Sequence, residues 1–190
     1  MKCALFFGSF NPLHVGHLAI AKFLLEKCDV DEVRLVVSPE NPLKANKSLN
    51  GKESEYEARE RLSAVKKAIS GSGLELKVSD IEYSLPKPLY TARTLQALRE
   101  KDPDTKFILV MGADNLSIMK IWFKWDEILS NYEVWVYPRQ GYDVKSMAEE
   151  YNRMDPRFKV VPLEAPLCDI SSTEIRNGEA EGRDMSEFKA

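Results

Sequence analysis

The sequence is poor in the features that mark several large classes of protein. Its 190 residues include three cysteines, Cys3, Cys28 and Cys168, which form neither a CxxC pair nor an even disulfide framework. This scarcity argues against a disulfide-stabilised secreted domain and indicates a reducing, cytoplasmic setting. No apolar run approaches the ~20 residues needed to span a bilayer, and the initial MKCALFFG becomes polar too early for a signal peptide. We therefore expect no association with a membrane.

An excess of basic charge is also absent. The chain has 27 lysines and arginines against 30 acidic residues, a net charge of −3 at pH 7 and a pI near 5.6. Such a balance gives no general attraction to nucleic acid, although it is compatible with a local basic pocket. We expect no nucleic-acid partner. Because 44% of the residues are hydrophobic and no repeat or low-complexity tract interrupts the chain, residues 1–190 are predicted to form a single domain.

Short apolar strands alternate with helices along the chain. The segment KCALFFG, residues 2–8, is typical of a strand buried on both faces. The pattern predicts further strands at 32–38, 74–80, 105–112, 131–139 and 157–163, and helices at 15–27, 54–70 and 91–101. This alternation predicts an α/β fold, a Rossmann-like doubly wound parallel sheet with helices on both faces. Ligands of such sheets bind beyond the carboxyl ends of the strands, so the loops after Gly8, Ser38, Gly112 and Pro138 are expected to face one cleft.

The turn after the first strand, GSFNPLHVGH, has an unusual composition. Gly8 lets a phosphate or a base approach the backbone, Pro12 fixes a turn ahead of the helix, and Gly16 allows close approach at the first helical turn. The free N–H groups and the dipole of a helix start favour an anion. His14 and His17 lie about one helical turn apart, so both can point at that anion. The pattern matches neither a dinucleotide GxGxxG nor a Walker loop.

Other interpretations of the two histidines are open at this point. A histidine near a helix start is usually structural, and an HxxH pair can bind zinc. The chain contains only these two histidines, and no cysteine pair accompanies them to complete a zinc site. Two histidines and two glycines within one turn are nevertheless hard to explain by packing alone.

This turn resembles the nucleotide-binding signature of the nucleotidyltransferase superfamily, with its HxGH core. The segment ISSTEIR, residues 170–176, resembles the second signature of that superfamily, ISSTxIR, and lies more than 150 positions further along. The start of a helix there offers N–H and hydroxyl donors, and Arg176 adds a forked cation suited to phosphate; an ordinary N-cap with a solvated arginine is the alternative. The resemblance implies ATP contacts from Gly8, Ser9, Phe10, Gly16, Ser171 and Ser172, and catalytic roles for His14, His17, Lys44 and Arg176.

Three further segments are similar to the bacterial nicotinate-nucleotide adenylyltransferases. They are GADx7W, which ends at Trp122, YTARTL at 90–95, and YPRQGYD at 137–143. By this resemblance Trp122 stacks on a pyridine ring, Thr91 holds the carboxylate of that ring, and Asp114 accepts a hydrogen bond from a ribose hydroxyl. Taken alone, Trp122 could equally be a core residue, and Trp125 competes as the stacking partner.

The sequence departs from that family in three places. Asn11 stands where bacterial members often have Asp, and NPLK at 41–44 replaces PPHK, so Lys44 is kept while Leu43 replaces a histidine. The chain ends in the charged SEFKA rather than in a final apolar helix. Any polar contribution from position 43 is therefore in doubt. The charged ending is compatible with a missing terminal packing element or with an altered surface for a homo-oligomer.

The resemblance implies adenylyl transfer from ATP to nicotinate mononucleotide, which yields nicotinate adenine dinucleotide and pyrophosphate for NAD biosynthesis. Mg²⁺ is expected on the triphosphate, and no carboxylate cluster indicates a metal site held by the protein. Two alternatives are a sister adenylyltransferase acting on nicotinamide mononucleotide or phosphopantetheine, and a non-catalytic nucleotide-binding regulator.

Overall fold

A computed structural model of the chain describes residues 1–40, 54–168 and 170–190. In these residues strands and helices alternate as the sequence predicts. The strands are β1 (Lys2–Gly8), β2 (Glu32–Val37), β3 (Leu76–Ser79), β4 (Lys106–Gly112), β5 (Glu133–Tyr137) and β6 (Val160–Pro162). The α-helices are α1 (Val15–Lys27), α2 (Glu55–Gly71), α3 (Thr91–Lys101), α4 (Ala113–Ser117), α5 (Trp125–Asn131), α6 (Val144–Met154) and α7 (Ser172–Ala180). Short 3-10 helices lie at Ile81–Tyr83, Met119–Ile121 and Ser186–Phe188.

The six strands form one parallel sheet in the order β3-β2-β1-β4-β5-β6. This order confirms the predicted doubly wound sheet. The direction of winding reverses between β1 and β4, and a crevice opens at such a reversal beyond the carboxyl ends of the strands. Gly8 and Gly112, which end these two strands, therefore stand at the edge where a ligand is expected.

Apolar layers cover both faces of the sheet. Successive residues of β1 alternate between the layers, so Leu5 packs into one hydrophobic cluster and Phe6 into the other. The Phe6 layer is closed by α1 and α2, and the Leu5 layer by α3, α5 and α6. A strand covered on both faces must be apolar throughout, which explains why KCALFFG does not alternate with polar residues.

The second half of the chain differs in detail from the prediction. Helices α4, α5 and α6 are additional to those predicted, and the last two strands are shorter. Strand β5 stops at Tyr137 because Pro138 has no N–H to donate to the sheet. Strand β6 starts only at Val160, since Asp155 accepts hydrogen bonds from Arg157 and Phe158 in a turn. No helix among the described residues is long and apolar enough to cross a membrane.

The last residues of the chain pack against the segment that precedes α1. Lys189 forms an antiparallel bridge with His14, and the Ala190 N–H donates to the Leu13 carbonyl over 3.2 Å. Met185 is buried beside Gly178, where an added Cβ would approach its sulfur to 2.6 Å. Although the end of the chain is charged, it is therefore an ordered part of the fold.

Candidate active site

A cleft of about 1410 Å³ lies along the carboxyl edge of the sheet. This exceeds the volume of most small-molecule pockets, which is ~300–1,000 Å³, and leaves room for two nucleotides. Its walls bring together residues that the sequence analysis selected from four separate segments: Gly8, Ser9, Phe10, His14, His17, Thr91, Asp114, Trp122, Ser171, Ser172 and Arg176. Lys44 and Leu43 lie outside the described residues.

The turn after β1 is closely packed around Phe10. The Phe10 ring is buried and meets the rings of Phe6 and His17 edge to face, at centroid distances of 5.7 and 5.0 Å. An added Cβ on Gly8 would lie 2.9 Å from the Phe10 ring, so only glycine leaves space for it. Phe10 has a φ of 47°, a conformation that is strained for a bulky residue. The side chain of Phe10 thus anchors the turn.

The two histidines are stacked at the start of α1. Their ring centroids are 3.6 Å apart with an interplanar angle of 28°. His14 is the N-cap residue of α1, and its backbone N–H donates to His17 Nδ1 over 3.3 Å. Since Nδ1 of a neutral His17 accepts this bond, its proton resides on Nε2, which becomes the donor. Nδ1 of His14 is buried and has no partner among the described atoms.

Burial keeps both imidazoles neutral in this structure. The pKa of His14 falls from 6.5 to about 4, first because the ring is buried and next because of the positive charge of Arg139. Burial also lowers the pKa of His17 well below its ordinary value, with His14 and Arg139 as further causes. At neutral pH the pair therefore offers hydrogen bonds to a ligand and no positive charge.

Gly16 lies behind the histidines and does not line the cleft. A Cβ at this position would come within 3.0 Å of His14 Nδ1 and 3.2 Å of Cys168 Cβ. The Cys168 thiol lies 3.7 Å from the Gly16 carbonyl oxygen. Gly16 thus lets His14 and the segment before α7 pack together, in addition to any part it has in binding a nucleotide.

The second signature meets the first directly. Ser172 Oγ donates to the Pro12 carbonyl over 3.0 Å, and the guanidinium of Arg176 donates to the Asn11 carbonyl. Ser171 caps α7 by accepting a hydrogen bond from the Glu174 N–H over 3.2 Å. The hydroxyls of both serines therefore have protein partners, while the first N–H groups of α7 lack partners within the helix.

Trp122 and Thr91, which the sequence analysis assigns to a pyridine nucleotide, both line the cleft. Trp122 is half buried, lines the cleft and keeps its Nε1 without a partner among the described atoms. Trp125 instead packs against Tyr151 and Phe158, at centroid distances of 6.4 and 6.0 Å. The geometry thus favours Trp122 over Trp125 as the stacking residue. Thr91 is the first residue of α3, and the first N–H groups of this helix lack acceptors within the helix.

Asp114 and Arg139 form a pair of opposite charges in the wall of the cleft. Asp114 Oδ1 lies 3.7 Å from Arg139 Nε, and neither atom has a hydrogen-bond partner among the described residues. The Arg139 guanidinium also lies over the Tyr137 ring, 5.3 Å from its centroid. Both residues stand just beyond strand ends, β4 for Asp114 and β5 for Arg139, so the sheet brings them together.

Sequence reasoning did not assign a role to Arg139. The segment YPRQGYD was noted only as a resemblance, although an arginine just beyond a predicted strand was a usable signal. Arg61 also lines the cleft. The sequence analysis did not select it, because within the amphipathic pattern of α2 it resembles an exposed residue. Arg93 stacks on the rings of Tyr90 and Phe123, 5.3 and 5.5 Å from their centroids, and does not line the cleft.

Comparisons with known proteins show the family of the chain. The profile of the cytidylyltransferase-like family matches residues 5–178. The chain is 39% identical over 185 residues to a protein of Flavobacterium johnsoniae named "probable nicotinate-nucleotide adenylyltransferase", which covers 97% of this chain and 90% of that protein. A protein of the same name from Cytophaga hutchinsonii is 43% identical over 177 residues, with 93% and 85% of the two chains covered.

Solved structures show the same architecture. The nicotinic acid mononucleotide adenylyltransferase of Plasmodium falciparum, complexed with NaAD, superposes with a TM-score of 0.76. The match covers 98% of this chain and 87% of that one at 16% sequence identity. At this identity the likeness concerns the fold alone.

Proposed function

The chain belongs to the cytidylyltransferase-like family and is related over nearly its whole length to nicotinate-nucleotide adenylyltransferases, and we propose that its cleft joins ATP and nicotinate mononucleotide. The products are nicotinate adenine dinucleotide and pyrophosphate, and the reaction serves NAD biosynthesis. The three cysteines are free, in keeping with a cytoplasmic enzyme.

One observation carries this proposal. The two signatures are far apart in sequence, yet Ser172 and Arg176 line the cleft and donate hydrogen bonds to the carbonyls of Pro12 and Asn11. Thr91 and Trp122 line the same cleft. A triphosphate site and a pyridine site that share one cleft suit a reaction that joins two nucleotides.

The chemistry at the phosphate end is positioning and charge stabilisation. An oxygen of the mononucleotide phosphate attacks the α-phosphorus of ATP, and the bond from that phosphorus to the bridging oxygen of pyrophosphate breaks. The attacking phosphate is already ionised at neutral pH, so no strong general base is needed. Groups that hold the two phosphates in line and stabilise the developing negative charge therefore supply the rate enhancement.

The side chains of the cleft can be assigned to holding the phosphates and stabilising their charge according to whether each is neutral or positively charged. His14 and His17 act as neutral donors, because burial lowers the pKa of both. Arg176 and Arg139, which both line the cleft, supply permanent positive charge, and Lys44 is a further cation by the family resemblance. Mg²⁺ enters with ATP as part of the substrate; among the described residues no cluster of three or more metal-binding side chains stands ready to hold a metal.

The mononucleotide end supplies orientation. Trp122 offers a flat face to the pyridine ring, and the free N–H groups at the start of α3, with the Thr91 hydroxyl, point at its carboxylate. Asp114 Oδ1 is an acceptor without a hydrogen bond and suits a ribose hydroxyl. This arrangement fixes the mononucleotide at both ends, so its phosphate is directed toward the histidines.

The test is release of pyrophosphate by the purified protein. ATP with nicotinate mononucleotide should give pyrophosphate and the dinucleotide in equal amounts. Nicotinamide mononucleotide and phosphopantetheine serve as competing acceptors. Faster turnover of either acceptor would assign the chain to a sister activity, and ATP binding without any turnover would indicate a non-catalytic regulator.

A further inference from the structure

A buried arginine contacts the turn that follows β1. Among the lysines and arginines that the structure describes, Arg61 of α2 is the only one that is buried, with 8% of its surface exposed. It also lines the cleft. Its neighbour on the same helix, Arg59, is instead exposed and pairs with Glu55 one turn away over 2.9 Å. The two arginines therefore differ in surroundings while sharing a helix.

Arg61 connects the ends of two adjacent strands. Its Nη1 donates to the Ser9 carbonyl over 2.5 Å and to the Ser38 carbonyl over 3.1 Å, and its Nη2 donates to the Pro39 carbonyl over 3.2 Å. Ser9 follows β1, while Ser38 and Pro39 follow β2. These carbonyls lie beyond the sheet and need donors from elsewhere, and the guanidinium provides several donors in one rigid fork.

The Ser9 carbonyl has special importance because it belongs to the peptide that joins Ser9 to Phe10. The orientation of this peptide helps to set the φ of Phe10, which is 47° and therefore strained. Strained conformations persist only where the surroundings over-determine them, and they concentrate at functional sites. Arg61 binds the carbonyl of this peptide, while the Phe10 ring is buried against Phe6 and His17.

We propose that Arg61 is a positioning residue that clamps the Ser9–Phe10 peptide and so preorganises the turn for the phosphates of ATP. This inference rests on the proposed function, because it assigns that turn to ATP. Arg61 acts through the backbone of Ser9 and needs no contact with substrate. Without the clamp the turn relaxes, and ATP must then supply the free energy that restores the binding geometry.

The test compares Arg61→Met and Arg61→Lys with the matched control Arg59→Met. In Arg61→Met we expect the KM for ATP to rise about tenfold to a hundredfold, the range that follows from losing a charged hydrogen bond. The KM for nicotinate mononucleotide should stay within about twofold of the parent value. Arg61→Lys should lie between the parent and Arg61→Met, because one ammonium replaces part of the fork. Arg59→Met should match the parent in both KM values.

A purely structural role predicts a different result. In that case Arg61→Met would lower the melting temperature and the amount of active enzyme, but the enzyme that folds would have the KM values of the parent for both substrates. This outcome would overturn the proposal. If Arg61→Met does not fold, Arg61→Lys decides by the same criterion. A third variant, Arg61→Ala, leaves space for a cation added in solution. Added guanidinium should lower its KM for ATP, whereas ammonium at the same concentration should not.

Failure of the proposed function can be distinguished from failure of this inference. If the parent protein does not release pyrophosphate, the reaction assignment is wrong. Direct titration with ATP then replaces the kinetic assay, with the same expected weakening in Arg61→Met but not in Arg59→Met. Equal ATP affinity in the parent and both methionine variants would refute the clamp.

Discussion

Acidification should destabilise this protein through His14. His14 is 2% exposed and its pKa is about 4, against 6.5 for an ordinary histidine. Because the unfolded chain binds a proton more readily than the native one, the free energy of unfolding is highest above pH 6.5 and falls as the pH decreases toward 4. Below that value both states are protonated and no further loss occurs.

The size of this loss follows from the pH range in which His14 is protonated in the unfolded chain and neutral in the native one. The value of pH 5 lies ~1.5 units below the unfolded pKa, and each unit lowers the free energy of unfolding by ~1.4 kcal/mol. The free energy of unfolding should therefore be about 2 kcal/mol lower at pH 5 than near neutrality because of His14. Loss on this scale is a substantial part of the ~5–15 kcal/mol that stabilises a typical domain.

Urea unfolding at pH 7 and pH 5 measures this loss, with His14→Asn as the comparison. Asparagine does not titrate, so the variant should lose about 2 kcal/mol less than the parent over the same pH change. Carboxylates titrate in both proteins and cancel in the difference. Since the chain has only two histidines, NMR can follow each imidazole directly. A His14 titration near pH 6.5, or equal losses in the two proteins, would refute the reasoning.

Three further predictions concern catalysis. His17→Ala should keep its fold by circular dichroism but lose ~10²–10³ in turnover, as expected when a transition-state donor is removed; near-normal turnover would exclude His17 from the mechanism. Arg176→Lys should raise the KM for ATP roughly tenfold, because an ammonium cannot reproduce the fork that also holds the Asn11 carbonyl, and unchanged ATP affinity and rate would contradict this. The kcat/KM for nicotinate mononucleotide should exceed that for the amide by about a hundredfold or more. The two rings have the same shape and stack alike on Trp122, so the preference comes from the donors at the start of α3, which pair with a carboxylate but not with the N–H₂ of an amide. A ratio near one, measured under one set of conditions, would refute the preference while leaving adenylyl transfer intact.

The sheet was predictable from the sequence because of its apolar strands, and many residues of the cleft were predictable because of their unusual composition. Buried parallel strands are apolar without interruption, so β1 and β4 are visible as runs that end in Gly8 and Gly112. The residues around those ends were then identified by their unusual composition and by resemblance. The neutral state of His14 was not predictable, because it depends on burial by residues that are distant in sequence.

Tertiary contacts also decided the points that the sequence left open. Trp122 and Trp125 are nearly equivalent in the pattern IWFKW, and only the packing of Trp125 on Tyr151 and Phe158 separates them. Arg59 and Arg61 likewise stand two positions apart on a helix of alternating charge. One meets solvent and the other meets three carbonyls, a distinction set by the position of the helix over the sheet.

The turn from Gly8 to His14 is held by parts of the chain that share no local sequence with it. Arg61 contacts it from α2, Ser172 and Arg176 contact it from α7, and Lys189 bridges to His14. An isolated peptide of this turn would not keep Phe10 at positive φ, since the strain would have no compensation. The turn that begins the phosphate site is therefore formed only when α2 and α7 have docked on the sheet.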